Sequence, residues 1–279
     1  MVVVDGSDAE TVGRLAQIRD QRLRVLALPE SVGGSEARNV GARNARGQWI
    51  ALLDDDDEWM PEKIEKQLEA ARSSASERVV AVCQYVQRAP GQPDVIWPRR
   101  LPNPGEPIPE YMFDYLCYFQ TSTFLCSRKL FLDIPFRQGQ KGFQDIEWFL
   151  RVNSDRATKL VVIAEPLSVY HTPAGRASVT SSLAWEERLS WGMQQRHLLT
   201  PRAYSRFIVG SCAGPAVQQG GGFRAFCRLL KECIVRSSVT PKSLGILCAT
   251  FSITPGFRRY IRDSFILQHS KPVGGTETP

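Results

Sequence analysis

Four aspartates stand in a row in 48-QWIALLDDDDEWMPEK-63, between an apolar run and a tryptophan. Two unit charges about 4 Å apart repel by roughly 4 kcal/mol at an effective dielectric near 20. A hard divalent cation removes that cost, and carboxylates without neighbouring His or Cys suit Mg2+ or Mn2+. Because Mg2+ takes one or two carboxylates plus substrate phosphates, the cluster also predicts a phosphate-bearing ligand. A solvated acidic loop is the plainer alternative. Three further residues invite a chemical reading. Asp5 ends a short apolar run and can accept a hydrogen bond from a ligand N–H or close an Asx turn. Arg38 follows Gly33-Gly34 at a helix start, where backbone amides and a guanidinium can face a phosphate or a base. Asp145 opens an apolar helix, a place where a carboxylate also simply suits the helix dipole.

The elements that must hold these residues alternate. Val2 to Val4 read as a buried strand, residues 10–20 as a helix, 23–28 as a second strand, and 36–46 as a helix with Ser35 as its N-cap. Trp49 to Leu53 is an apolar run of strand length with the aspartates at its carboxyl end. Pro61 suits the first turn of a helix over 61–74, and 79–86 reads as another strand. This alternation predicts an α/β, Rossmann-like, mostly parallel sheet, in which ligands bind beyond the carboxyl ends of the strands. Residues 88–110 hold seven prolines and read as a long loop. Residues 121–127 and 159–164 read as strands, 143–152 as a helix and 169–180 as a polar loop. From residue 182 the pattern is mainly helical.

Two regions follow: an α/β domain over 1–180 and a helical region over 181–279. The 279-residue chain has a net charge of +6, and residues 201–279 hold 11 Lys/Arg against 3 Asp/Glu. A basic tail without a recognisable nucleic-acid motif points to an anionic membrane surface, with a solvated basic face as the alternative. No stretch reaches the roughly 18 apolar residues of a spanning helix. The segment 243–253, followed by the basic 257–265, suits a helix lying on a bilayer, or a buried helix. Seven scattered cysteines without C-x-x-C spacing read as buried thiols in a reducing compartment. With no basic n-region or cleavage site near Met1, the expected location is cytoplasmic, peripheral on the inner face of the membrane. The opening MVVVDGSD reads as the second half of a βαβ unit, so the expectation is a chain that starts one strand late.

Taken in order, VVVDGSD, GGSEARNVGARNARGQWIALLDDDDEWMPEK, FQDIEWFLR and VYHTPAGRAS resemble the inverting, GT-A fold glycosyltransferases of family 2 over roughly residues 2–180. The resemblance implies a nucleotide-diphosphate sugar, typically a UDP-sugar, as donor and a glycan, lipid-linked or other hydroxyl as acceptor, with no nucleic-acid partner. It places Asp54 and Asp56 as the D-x-D pair, with Asp56 the direct ligand of Mn2+ or Mg2+ and Asp54 assisting. Asp5, Arg38, Asp54 and the intervening Asp55 fall on the nucleotide-sugar side. Asp145 matches the general base. His171 and Arg176 match diphosphate or acceptor contacts loosely. The family's first Asp-Asp position is Val4 here, and its first strand and Pro-x-Tyr/Phe-Asn turn have no counterpart. The Q-x-x-R-W motif of processive members is missing, which implies single-sugar transfer. Aspartyl phosphotransferases also carry D-x-D, but Glu58 and Trp59 stand where they need a threonine. The non-enzymatic alternative is a degenerate nucleotide-sugar-binding module.

Overall fold

The computed structural model describes residues 1–115, 117–172, 180–235 and 239–252, so Arg176 and the basic 257–265 lie outside the described residues. The chain divides into two units, one of residues 1–183 with 197–199, the other of residues 184–196 with 200–279.

In the first unit, β1 (Val2–Val4) and β2 (Val25–Ala27) pair in parallel, Val3 opposite Leu26, joined through α1 (Ala9–Ala16). The Asp8 carboxylate caps α1 by accepting from the Thr11 N–H at 2.9 Å. Small residues let α2 (Gly34–Asn44) lie on β1: a Cβ on Gly41 would stand 3.2 Å from Val3 Cγ2. The N-cap of α2 is Gly33 at φ 83°, not the expected Ser35. Only glycine adopts that backbone cheaply, so the chain turns there through conformation rather than through a capping side chain.

The second sheet runs β3 (Trp49–Ala51), β7 (Leu125–Ser127), β5 (Val79–Arg88), β8 (Lys159–His171), β4 (Glu58–Trp59), with β6 (Val95–Trp97) also paired to β5. Only the β5–β8 pair is parallel in this sheet, so the expectation of a mostly parallel sheet is corrected to a mixed one. The β3–helix–β5 crossover through α3 (Lys63–Ser73) does leave β3 and β5 running the same way. They are not neighbours, because β7 returns from a distant segment and inserts antiparallel between them. The predicted loop over 88–110 is also corrected. Strand β6 lies within it, and α4 (Ile108–Tyr115) begins before its end. Pro93 and Pro98 flank β6 without entering it, which is where an outer strand tolerates them. Residues 121–127 split into a 3₁₀ turn, Thr121–Thr123, and β7.

The core forms where β5 is covered on both faces, and Val79 to Cys83 are completely buried. After α5 (Arg128–Asp133), an aromatic cluster fixes α6 (Gln144–Ser154): the Trp148 ring stacks on Phe136 at 5.1 Å and lies 5.3 Å from Phe124. Its indole N–H donates to the Ile134 carbonyl at 2.7 Å. With a third ring contact, to Phe131 at 5.6 Å, and this part-buried hydrogen bond, α6 has little freedom, and Asp145 sits in its first turn.

Lys63, fully buried at the start of α3, donates to Gln67 Oε1 at 2.6 Å and lies 4.5 Å from the centre of the Trp59 ring. Burial pulls its ammonium down from 10.5 to about 8. The unfolded chain therefore binds this proton more tightly, so the lysine costs stability below pH 8, and the cost disappears as pH rises toward 10.5. Against about 3 kcal/mol of such cost stands a desolvated cation–π contact of about 2 kcal/mol. Lys63→Met is expected to raise unfolding stability at pH 7 by about 1 kcal/mol in urea, with the gain closing above pH 10. A destabilised variant at pH 7 would show that the ring contact outweighs burial.

The second unit is helical: α7 (Trp185–Gln195), α8 (Pro201–Phe207) continuing through a π-helical turn Ile208–Cys212 into α9 (Ala213–Gln218), then α10 (Gly222–Val235) and α11 (Pro241–Ser252). Gly192 admits the Phe207 ring, which a Cβ would meet at 2.3 Å. Among the described residues no helix is long and apolar enough to cross a membrane.

Candidate active site

The four aspartates follow β3 and turn back on themselves, the Asp57 N–H donating to the Asp54 carbonyl at 3.2 Å. The turn is held from outside by Ser122, whose hydroxyl accepts from the Asp54 N–H at 3.0 Å and donates to Asp57 Oδ2 at 2.5 Å. The Trp59 indole N–H donates to the Ser122 carbonyl at 2.9 Å, closing the same contact from the other end. Asp57 also accepts from the His171 N–H at 3.3 Å. Burial pushes the Asp57 carboxyl up to about 6 against the pull of these bonds, and the charges of Asp54 and Asp56 push the same way. Asp57 therefore shapes the turn, while Asp55 is exposed at its tip.

Arg38 links this turn to α6. Its Nη2 donates to Asp54 Oδ1 at 2.6 Å and its Nη1 to Gln144 Oε1 at 3.1 Å. The guanidinium lies 5.6 Å from the centre of the Phe136 ring. Next to it, Asn39 exchanges two hydrogen bonds with the Phe136 backbone, both 2.9 Å, and is 3% exposed. That buried pair ties α2 to the approach of α6 and sets the position from which Arg38 reaches both partners. Gly34 completes the fit, since a Cβ there would stand 3.1 Å from Arg38 Nη1.

Asp145 follows Gln144 and accepts from the Ile146 N–H at 2.9 Å. The residue keeps some solvent-accessible surface, yet protein surrounds the carboxyl, and this burial raises its pKa above the ordinary carboxylate value. The Ile146 bond and the positive charge of Arg38 pull the other way, and the charge of Asp54 adds to the rise. The residue before α6, Phe143, takes the left-handed conformation at φ 54°. Its N–H is held by the Thr180 hydroxyl at 3.2 Å. Strain of order 1–3 kcal/mol at such a position persists only where the surroundings fix it, and here it sets the entry of α6 that carries the carboxyl.

Tyr170, on β8, packs edge-on to Tyr85 with ring centres 6.0 Å apart. Burial raises its hydroxyl, and the charges of Asp57, Asp56, Asp145 and Asp54 add to the rise. The charges of all four carboxylates thus reach one phenol, and Arg38 bonds one of them, Asp54, directly. Asp5 lies at the start of α2, the helix that carries Arg38. It accepts from the N–H groups of Val32 and Gly33 at 2.7 and 2.9 Å and from the Ser31 hydroxyl at 3.0 Å, so it orders the loop into α2. His171 has its ring Nε2 2.7 Å from Glu58 Oε1, on the outer side of the aspartate turn.

The family model for glycosyl transferase family 2 matches residues 1–140, which includes β1, Arg38 and the aspartate turn. The chain belongs to this family. As a family 2 glycosyltransferase it uses a nucleotide-sugar donor. It is 28% identical over 241 residues to the amylovoran biosynthesis glycosyltransferase AmsB of Erwinia amylovora, covering 81% of this chain and 79% of AmsB. It is 40% identical over 81 residues to the succinoglycan biosynthesis protein ExoO of Rhizobium meliloti, which covers 29% of this chain and 23% of that protein. The glycosyltransferase also superposes on the crystal structure of S. aureus TarS 1-349 in complex with UDP-GlcNAc. There the TM-score is 0.58 at 15% identity, covering 96% of this chain and 82% of that one, a likeness of fold.

Asn39 and Tyr170 fall inside the motif blocks without a role read for them, and Ser122 has no signal of its own in the glycosyltransferase sequence. Ser122 stands 68 positions from Asp54 in an ordinary Thr-Ser-Thr run, and only the insertion of β7 beside β3 brings it under the turn.

Proposed function

We propose that this glycosyltransferase moves one sugar from a UDP-sugar to an acceptor hydroxyl with inversion, Asp145 acting as general base. The observation that carries the reading is the Arg38 bridge between Asp54 and Gln144, which sets the D-x-D turn and the residue before Asp145 on one guanidinium. An acceptor hydroxyl reaching Asp145 loses its proton there as it attacks the anomeric carbon. The bond to the nucleoside diphosphate breaks on the opposite face. The raised pKa of Asp145 makes its carboxylate a better proton acceptor than an ordinary one.

The donor set fits a hard cation. It consists of carboxylates alone, and Asp54 and Asp56 are close enough to raise Asp57. Among the described residues no three or more His, Cys, Asp or Glu side chains enclose a metal ion. One or two carboxylates suffice when substrate phosphates complete the shell. Asp56 and the second oxygen of Asp54 would hold Mn2+ or Mg2+, because Arg38 occupies the first oxygen of Asp54. When bound there, the cation neutralises charge on the departing diphosphate. The names of AmsB and ExoO, which place those proteins in amylovoran and succinoglycan biosynthesis, support a role in cell-surface polysaccharide assembly, for which a glycan or lipid-linked hydroxyl is the acceptor we propose, and the TarS complex with UDP-GlcNAc supports uridine as the base. The test is turnover of a UDP-sugar panel by the wild-type chain and by Asp145→Asn. Transfer is expected in the first and its loss, with donor binding kept, in the second; equal turnover in both excludes Asp145.

A membrane acceptor agrees with the outer face of α10. Phe223 is 79% exposed and Ile234 58%, beside exposed Arg224 and Lys231. This mixture of apolar and cationic groups suits an anionic lipid surface. In vesicle flotation, the full chain is expected to bind vesicles rich in anionic lipid, and Lys231→Glu to weaken binding by more than about fivefold. Equal recovery on neutral vesicles would remove this surface from the account.

A further inference from the structure

A pocket of about 430 Å³ opens between the N-terminus of α2 and the loop that leads into α6. Gly33, Gly34, Ser35, Gln140, Lys141 and Gln144 line it, and no acidic residue does. Helix α2 runs for 11 residues, and its N-cap Gly33 has no capping side chain; Asp5 takes the Val32 and Gly33 N–H groups just ahead of the helix and leaves the amides of the first turn to a ligand. Ser35 is 3% exposed, and its hydroxyl has no hydrogen-bond partner although it borders the pocket. A buried hydroxyl without a partner is costly unless a ligand meets it. The one carboxylate in the first turn, Glu36, is turned to Arg43, Asn39 and Gln138 and does not line the pocket. Lys141 is exposed and forms no ion pair among the described residues.

A helix N-terminus, a buried hydroxyl and an ammonium around one space select an oxyanion. Its relation to Arg38 decides which one. Gln144, in the pocket wall, receives one end of that guanidinium, while Asp54 receives the other. The pocket therefore adjoins Gln144, next in sequence to the general base, and no residue of the D-x-D turn lines it. We propose that this pocket is an acceptor subsite for an oxyanion, a phosphate or a carboxylate borne by the acceptor, received by the first amides of α2, the Ser35 hydroxyl and the Lys141 ammonium. The subsite rests on the reading of Asp145 as the base that receives the acceptor hydroxyl. With a volume of about 430 Å³ it has room for the anionic group and the sugar that carries it.

The test uses the full chain, with inorganic phosphate and glucuronate as separate probes in calorimetry, each with and without saturating UDP and Mn2+. One probe or both are expected to bind wild type whether or not UDP is present, and the stronger names the acceptor's anion. Lys141→Glu is expected to weaken that binding about tenfold or more, and Ser35→Ala to weaken it less, while the UDP affinity of both variants stays within about twofold of wild type. No binding of either probe, binding that UDP displaces, or binding indifferent to both substitutions overturns the subsite; displacement by UDP would place the anion in the donor site. These readouts do not need turnover. Failure of the general-base reading shows separately, as an Asp145→Asn variant that still transfers sugar.

Discussion

Replacing Asp56 by alanine is expected to remove the metal-dependent part of UDP binding, a fall of at least about tenfold in affinity by calorimetry in Mn2+. The expectation follows from the D-x-D reading, in which Asp56 is the direct metal ligand and its neighbours hold the turn. Asp54 gives one oxygen to Arg38, Asp57 is spent on the Ser122 hydroxyl and the His171 N–H, and Asp55 is exposed at the tip. Without metal the sign reverses. The substitution deletes a negative charge beside Asp54 and Asp57, so the anionic nucleotide binds Asp56→Ala as well as, or better than, wild type. This crossing separates loss of a ligand from collapse of the turn, which would weaken binding in both conditions. Wild-type affinity that is the same in Mn2+ and in EDTA would remove the metal role.

Asp145→Asn is expected to lower turnover by about 10²- to 10⁴-fold, the usual contribution of a positioned general base, with UDP affinity unchanged. Asparagine preserves shape and can still accept the Ile146 N–H, so α6 keeps its start. A base must be ionised to act, so wild-type activity falls as pH drops through the Asp145 pKa. Burial places that acid limb above the ordinary value of 3.8. Arg38 lowers this pKa, so Arg38→Met is expected to move the limb to higher pH as well as to weaken donor binding. A limb that stays in place in Arg38→Met would separate the guanidinium from the base.

Much of this site was legible because its parts are local. The apolar run Trp49 to Leu53 followed by aspartates gives β3 and the turn at its carboxyl end, and Gln144-Asp145 before an apolar helix gives α6. Arg38 was legible as a candidate only, since its two partners lie 16 and 106 positions away. Local pattern also predicts that β3 and β5 run the same way, but it does not say what lies between them. Strand β7 is only Leu125–Ser127, and its insertion turns an expected parallel sheet into a mixed one. The same insertion delivers Ser122 to the aspartates. Strand β6 is not legible in the sequence because prolines bracket it, although they interrupt no hydrogen bond of the β5–β6 ladder. Ser35 reads as an N-cap by residue type, yet Gly33 takes that place through its backbone, and the freed hydroxyl becomes part of the pocket wall.

The question beneath all of this is whether a single carboxylate at Asp145 drives one displacement at the anomeric carbon. Proton NMR of the first-formed product from an α-linked UDP-sugar answers it, with the preferred acceptor or with water in its place. The product is expected to carry the β configuration at early times, before mutarotation. A first-formed α product would mean retention, and would contradict a mechanism in which Asp145 deprotonates the acceptor for direct attack.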